Sequence, residues 1–146
     1  MENIKVETVV ISKQPENSKN YEEFLDIVKR NKINVIVVNK GDYLHIEKDI
    51  YFQILWPNSS NFTVQNALNN NSIVCKLYYK NFSMLFTGDI EEIAEKQILQ
   101  EYKNNLGILN ANILKVRTSR LKKFKYKRIL ASSKPQNSTN WRRERQ

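Results

Sequence analysis

The chain has 146 residues, enough for one domain with its own core, and 24 basic against 15 acidic residues give a net charge of +9. One cysteine, Cys75, excludes an internal disulfide and a cysteine-only metal site, and one histidine, His45, excludes any metal site or triad that needs two. No run of about 18 apolar residues occurs and MENIKVETVV has no long apolar stretch with a cleavage site, so neither a membrane span nor a signal peptide is expected, and a cytoplasmic location is expected for the isolated chain.

In chain order, residues 6–11 (VETVVI) are β-branched and predict a strand. Asn20, with Glu23 three positions on, predicts a capping box opening a helix over 20–31, whose apolar side is Tyr21, Phe24, Leu25 and Val28. Residues 33–38 (INVIVV) form a nearly continuous apolar run, the pattern of a strand buried on both faces. Strand, helix and strand in this order predict a βαβ unit.

Lys40-Gly41-Asp42 is a turn signal. Short strands are predicted over 43–46 and 51–56, the second ended by Pro57, which has no N–H to donate to a ladder. Residues 58–71 are polar and Asn-rich and predict a surface loop. Residues 72–79 (SIVCKLYY) and 82–87 (FSMLFT) flank Lys80-Asn81, the spacing of a two-residue hairpin with Asn81 tolerating the positive φ. In Thr87-Gly88-Asp89-Ile90-Glu91-Glu92, Asp89 predicts the N-cap of a helix that carries Ile90, Ile93, Ala94 and Ile98 on one face. Residues 113–116 (ILKV) predict the next strand. The class is α/β (α+β), with mixed sheet pairing.

That last strand runs into a basic segment. Residues 117–146 hold 11 basic residues and one acidic residue, a net +10, whereas residues 1–116 hold 13 basic and 14 acidic. The division is therefore a folded domain over 1–116 and a basic tail over 117–146. Arg117, Arg120, Lys122, Lys123, Lys125, Lys127 and Arg128, with Phe124, Tyr126 and Trp141 among the tail's side chains, have the chemistry to grip phosphates and stack bases, which implies non-specific nucleic acid as a partner. The plainer reading is a segment that neither folds nor binds, since its apolar side chains keep no sustained period and its like charges repel.

Few residues within 1–116 have the chemistry of a site. Asp89 lies just past a strand's carboxyl end, where α/β folds place function, and its plain reading is a helix cap. His45, between Leu44 and Ile46, reads as a partly packed histidine. Cys75 reads as a small core residue, and Trp56 as the packing of a strand end.

Residues 69–99, NNNSIVCKLYYKNFSMLFTGDIEEIAEKQIL, resemble the C-terminal metallo-β-lactamase-like domain of the ComEC family of DNA-uptake competence proteins. That domain shows an Asn-Ser-hydrophobic strand, a hairpin, and a strand ending in Thr-Gly-Asp before an acidic helix. INVIVVNKGD, YFQILWPN and ANILKV also fit, so the likeness runs from about residue 6 to 116. It implies part of an αββα sandwich with helices outside mixed sheets, DNA as partner, a parent protein set in a membrane, and a divalent metal pair, zinc or manganese, that activates water. Asp89 alone carries over, as a vestigial metal-ligand position. The family's His-x-His-x-Asp-His and Gly-His-His-Gly-Ser elements do not occur here, and where the second belongs the chain reads VRTSRL. The chain is expected to bind no cofactor and to be catalytically inactive.

A slipped reading frame accounts for the swing from apolar strand to basic tail. Arg117 to Phe124 can be encoded as AGG ACA TCA CGG CTC AAA AAA TTC, and starting one base later this reads Gly-His-His-Gly-Ser-Lys-Asn. Permitted codons continue the shifted frame to the C-terminus as an amphipathic helix, a proline turn and an apolar strand.

Overall fold

The computed structural model describes residues 5–13, 19–61 and 63–115. Strand β1 (Thr8–Ser12), helix α1 (Lys19–Arg30) and strand β2 (Asn34–Val38) form the expected βαβ unit, with β1 and β2 parallel and Val9 opposite Val35. Helix α1 turns Val28 inward and leaves Tyr21 and Phe24 half-buried, whereas Leu25, expected on the same face, is 43% exposed. Asn20 lies inside α1 rather than at its cap, because the helix already includes Lys19.

Strands β3 (Tyr43–Glu47) and β4 (Ile50–Trp56), helix α2 (Ala67–Asn70), strands β5 (Val74–Tyr79) and β6 (Phe82–Phe86), helix α3 (Glu92–Glu101) and strand β7 (Ile113–Lys115) follow. The five strands make one sheet in the order β3-β4-β5-β6-β7. Its first three pairings are antiparallel, and β6 and β7 are parallel with α3 in the crossover between them. The two sheets and three helices among the described residues make the fold α+β.

The core lies under α3. Leu55, Trp56, Val74 and Leu85 from the sheet, Ile90, Ala94 and Ile98 from α3 and its approach, and Leu109 before β7 form one buried cluster. Removing one such leucine or isoleucine side chain from water stabilises a fold by about 1.5–3 kcal/mol, so this cluster dominates the cohesion of the larger sheet.

Three further expectations fail. The run Val35, Ile36 and Val37 is 36%, 41% and 54% exposed, and only Val38 is buried. An apolar run encodes a capacity for burial, but no described element covers this part of the two-stranded sheet. In the β5–β6 hairpin the left-handed residue is Lys80 (φ 50°), not Asn81. Its ammonium lies 5.3 Å from the Tyr79 ring centre, a cation–π contact at the turn. The Asn-rich stretch is not a surface loop throughout, for it contains α2 and ends in Asn70 and Asn71, both fully buried.

Cys75 is half-buried in β5, and burial pushes its thiol up to about 11. The unfolded chain therefore releases this proton first. Between pH of about 9 and 11 the group should make stability fall as pH rises. At pH 8 the native thiol should react with iodoacetamide far more slowly than the urea-unfolded thiol, which mass spectrometry of timed aliquots would measure.

Candidate functional site

The segment that follows β6 holds the candidate carboxylate. Thr87 is fully buried, and both its backbone N–H and its hydroxyl lie 3.3 Å from the Lys115 carbonyl at the end of β7. Because β6 and β7 are parallel, their carboxyl ends emerge side by side. Gly88 then turns the chain with φ +56°, and a Cβ there would stand 2.8 Å from the Ile73 carbonyl oxygen and 2.9 Å from Ser72 Cβ. Asp89 follows, exposed, at the outer side of this turn.

The Gly88 contact joins two motifs that are distant in sequence. Asn71-Ser72, at the approach to β5, lies directly against Thr87-Gly88-Asp89, after β6. Ser72 and Ile73 also line a cleft of about 340 Å³ with Ile11, Ser12, Tyr21 and Phe24. The end of β1, one side of α1, the start of β5 and the turn after β6 thus converge. Ser12, 3% exposed, and Ser72 are cleft residues with no candidate role in the sequence reading. The Asn71-Ser72 pair was the one visible signal for Ser72, and Ser12 had none.

Asp89 is not the cap of α3. The helix begins at Glu92, and Glu91 is the N-cap residue, in extended conformation and without a side-chain capping bond of its own. The Glu91 N–H instead donates to Asn70 Oδ1 at 3.0 Å. The Glu91 carboxylate accepts from Asn66 Nδ2 at 2.7 Å and Asn69 Nδ2 at 3.0 Å. The N–H of the residue that opens α3 is therefore met by an amide 21 residues earlier. Asp89→Ala should accordingly lower the melting midpoint less than Asn70→Ala does, as paired thermal unfolding curves would read.

Asn70 and Asn71 anchor this layer. Asn70 Nδ2 donates to the Gln65 carbonyl at 2.9 Å, and its own carbonyl accepts from Trp56 Nε1 at 2.6 Å. Asn71 bonds the Thr63 N–H and carbonyl at 3.1 and 2.8 Å and the Ala67 carbonyl at 2.8 Å. The Thr63 hydroxyl reaches Gln97 Oε1 of α3 at 2.6 Å. Buried amides persist only when their donors and acceptors are met, and here both are.

The other candidates do not join Asp89. His45 is exposed in β3, three strands from β6, with its ring centre 5.7 Å from that of Tyr51. It is less packed than expected, because β3 is the edge of the sheet. Cys75 pairs with Phe86 across β5 and β6, and its raised pKa keeps it a thiol near neutrality, a poor metal ligand. Among the described residues no three His, Cys, Asp or Glu side chains converge so as to hold a metal ion. The described residues alone therefore do not fit a divalent metal pair. Arg117, Arg120, Lys122, Lys123, Lys125, Lys127 and Arg128 lie outside the described residues. No described helix is long and apolar enough to cross a membrane.

No protein-family profile matches the chain. Over 112 residues, 77% of its length, the chain is 29% identical to ComE operon protein 3 of Bacillus subtilis (strain 168). It spans 13% of that relative. The chain is thus similar to a ComEC-like competence protein across most of the described fold.

Proposed function

We propose that this chain is a piece of a ComEC-type DNA-uptake protein, corresponding to part of its metallo-β-lactamase-like domain, and that it is catalytically inactive. The observation that carries the reading is the Gly88 contact. It brings Asn71-Ser72 and Thr87-Gly88-Asp89, the two most specific elements of the resemblance, together at the carboxyl ends of parallel strands. The 112-residue similarity supports it independently.

In this reading Asp89 is a relic of a metal position. A two-metal hydrolase needs several histidine and carboxylate ligands and an open place for the attacking water. One carboxylate does not hold two cations against solvent. The frame slip after Val116 belongs to the same proposal. The end of β7 lies against Thr87, so a restored Gly-His-His-Gly-Ser element would begin close to the Asp89 turn.

Two measurements test this. The gene read one base later after Val116 should encode Gly-His-His-Gly-Ser followed by an amphipathic helix; stop codons within the first ten shifted positions would sink the frame slip. Elemental analysis of the purified chain should find no tightly bound metal, and a nuclease assay in Mn²⁺ and Zn²⁺ should find no cleavage. Two equivalents of bound metal, or cleavage lost in Asp89→Ala, would overturn the inactive reading.

The charge distribution favours a second reading, a nucleic-acid-binding module that uses its tail. The net +10 of residues 117–146 would then bind DNA or RNA with an affinity that drops steeply as salt rises. Truncation after residue 116 should abolish that binding, and retention of full affinity by the truncated chain would exclude it.

A further inference from the structure

The end of the sheet away from Asp89 carries a second polar cleft, of about 290 Å³, between the β5–β6 hairpin and the segment entering β7. Lys76, Asn81, Ser83, Asn110 and Asn112 line it. Lys76 is 6% exposed in the middle of β5, where an apolar side chain would be the ordinary occupant. Its ammonium donates to the Ile108 carbonyl at 3.3 Å and lies 4.7 Å from the Tyr78 ring centre. Among the described residues no carboxylate pairs with it. A buried ammonium has three donors, and one carbonyl and one ring do not replace the water it has lost.

The rest of the cleft is built of neutral polar groups. Asn112 Oδ1 accepts from the Ser83 N–H at 2.7 Å and from its hydroxyl at 3.3 Å, which locks the strand entering β7 to β6. Asn110 Oδ1 is buried with no hydrogen-bond partner. The residues that carry a buried cation without a counter-ion and a buried acceptor without a donor therefore line one cleft. A partly protonated oxyanion answers both, because its charged oxygens meet the ammonium and its remaining O–H meets the asparagine.

We propose that this cleft is a binding site for a phosphate group. The site is independent of the metal-hydrolase reading, for it uses none of the residues around Asp89. Burial also holds the Lys76 pKa below the usual lysine value, a cost that a bound anion would offset. The phosphate can be free or the terminal phosphate of a short nucleotide, and the chemistry of recognition is the same for both.

The test is a ¹⁵N NMR titration of the full chain with inorganic phosphate, at ionic strength held constant with sodium chloride. Reading individual amides keeps the basic tail from masking the answer. Saturable shifts are expected at the Ser83, Gly107 and Asn112 amides. Lys76→Met, which keeps the apolar stem, should weaken the phosphate Kd at least tenfold. Asn110→Asp, a near-isosteric change that places a carboxylate in the cleft as a competing counter-ion, should abolish the shifts, and this variant decides the matter if Lys76→Met does not fold. A parallel titration with a 5′-phosphorylated dinucleotide distinguishes the sources. Tighter binding than inorganic phosphate would assign the group to a nucleic-acid end, and equal affinity would assign it to the free ion. Absent shifts, or shifts unchanged in Lys76→Met and Asn110→Asp, would overturn the site.

Discussion

Replacing Gly88 by valine should unfold the chain or lower its stability by about 3 kcal/mol or more. Two separate effects add. The residue sits at φ +56°, and a side chain in the left-handed region costs about 1–2 kcal/mol even in open space, more when β-branched. The space is also closed, since a Cβ would stand 2.8 Å from the Ile73 carbonyl oxygen and 2.9 Å from Ser72 Cβ. Both obstacles belong to a short segment tied to β5 and α2, so relief requires the turn after β6 to move away from the approach to β5. Such overpacking costs a further 1–3 kcal/mol or so. Urea denaturation followed by tryptophan fluorescence would measure it, because Trp56 is fully buried in the adjoining core. Gly41 provides the control. It is also left-handed, at φ +95°, but nothing lies within 4 Å of a Cβ there, so Gly41→Ala should cost only the conformational part. Equal losses at the two positions would show that the contact with Ser72 and Ile73 carries no weight.

Asn70→Ala should destabilise by about 2–4 kcal/mol, an unusually large effect for an asparagine. The substitution removes the acceptor of the Glu91 N–H and the donor to the Gln65 carbonyl. An abandoned buried polar group costs about 1–3 kcal/mol, and the substitution abandons both the Glu91 N–H and the Gln65 carbonyl. The loss should appear as amide exchange in the first turn of α3 that is faster than in the parent protein. An Asn70→Ala variant with parental stability would mean that water replaces the amide at no cost. Asn70→Leu should not rescue stability, because matching the volume leaves both partners unmet.

Local physical chemistry determined much of this protein from sequence alone. The βαβ order of β1, α1 and β2, the β5–β6 hairpin and α3 with its face of Ile90, Ala94 and Ile98 were legible, because period, turn residues and strand length are properties of neighbouring residues. Gly88 and Asp89 were legible as a turn beside a possible site for the same reason. The partners across the fold were not. Asn70 and Asn71 read as surface residues because nothing in a polar stretch tells which amides will meet buried partners, and only the docking of α2 against Trp56 and α3 supplies them. Asp89 read as a cap because local spacing favours it, whereas the folded helix opens at Glu91, whose N–H meets the distant Asn70 amide. The run Val35 to Val37 read as buried because composition records what a strand can pack against, while exposure depends on which layer lies over it. Lys76 gave no signal at all. A lysine inside a strand normally points to water, and its burial followed only when the segment before β7 closed over it. The elements thus came from interactions within a few residues, whereas the site's neighbours, the partners of its helix start and its buried charge came from contacts between residues 14 to 32 positions apart.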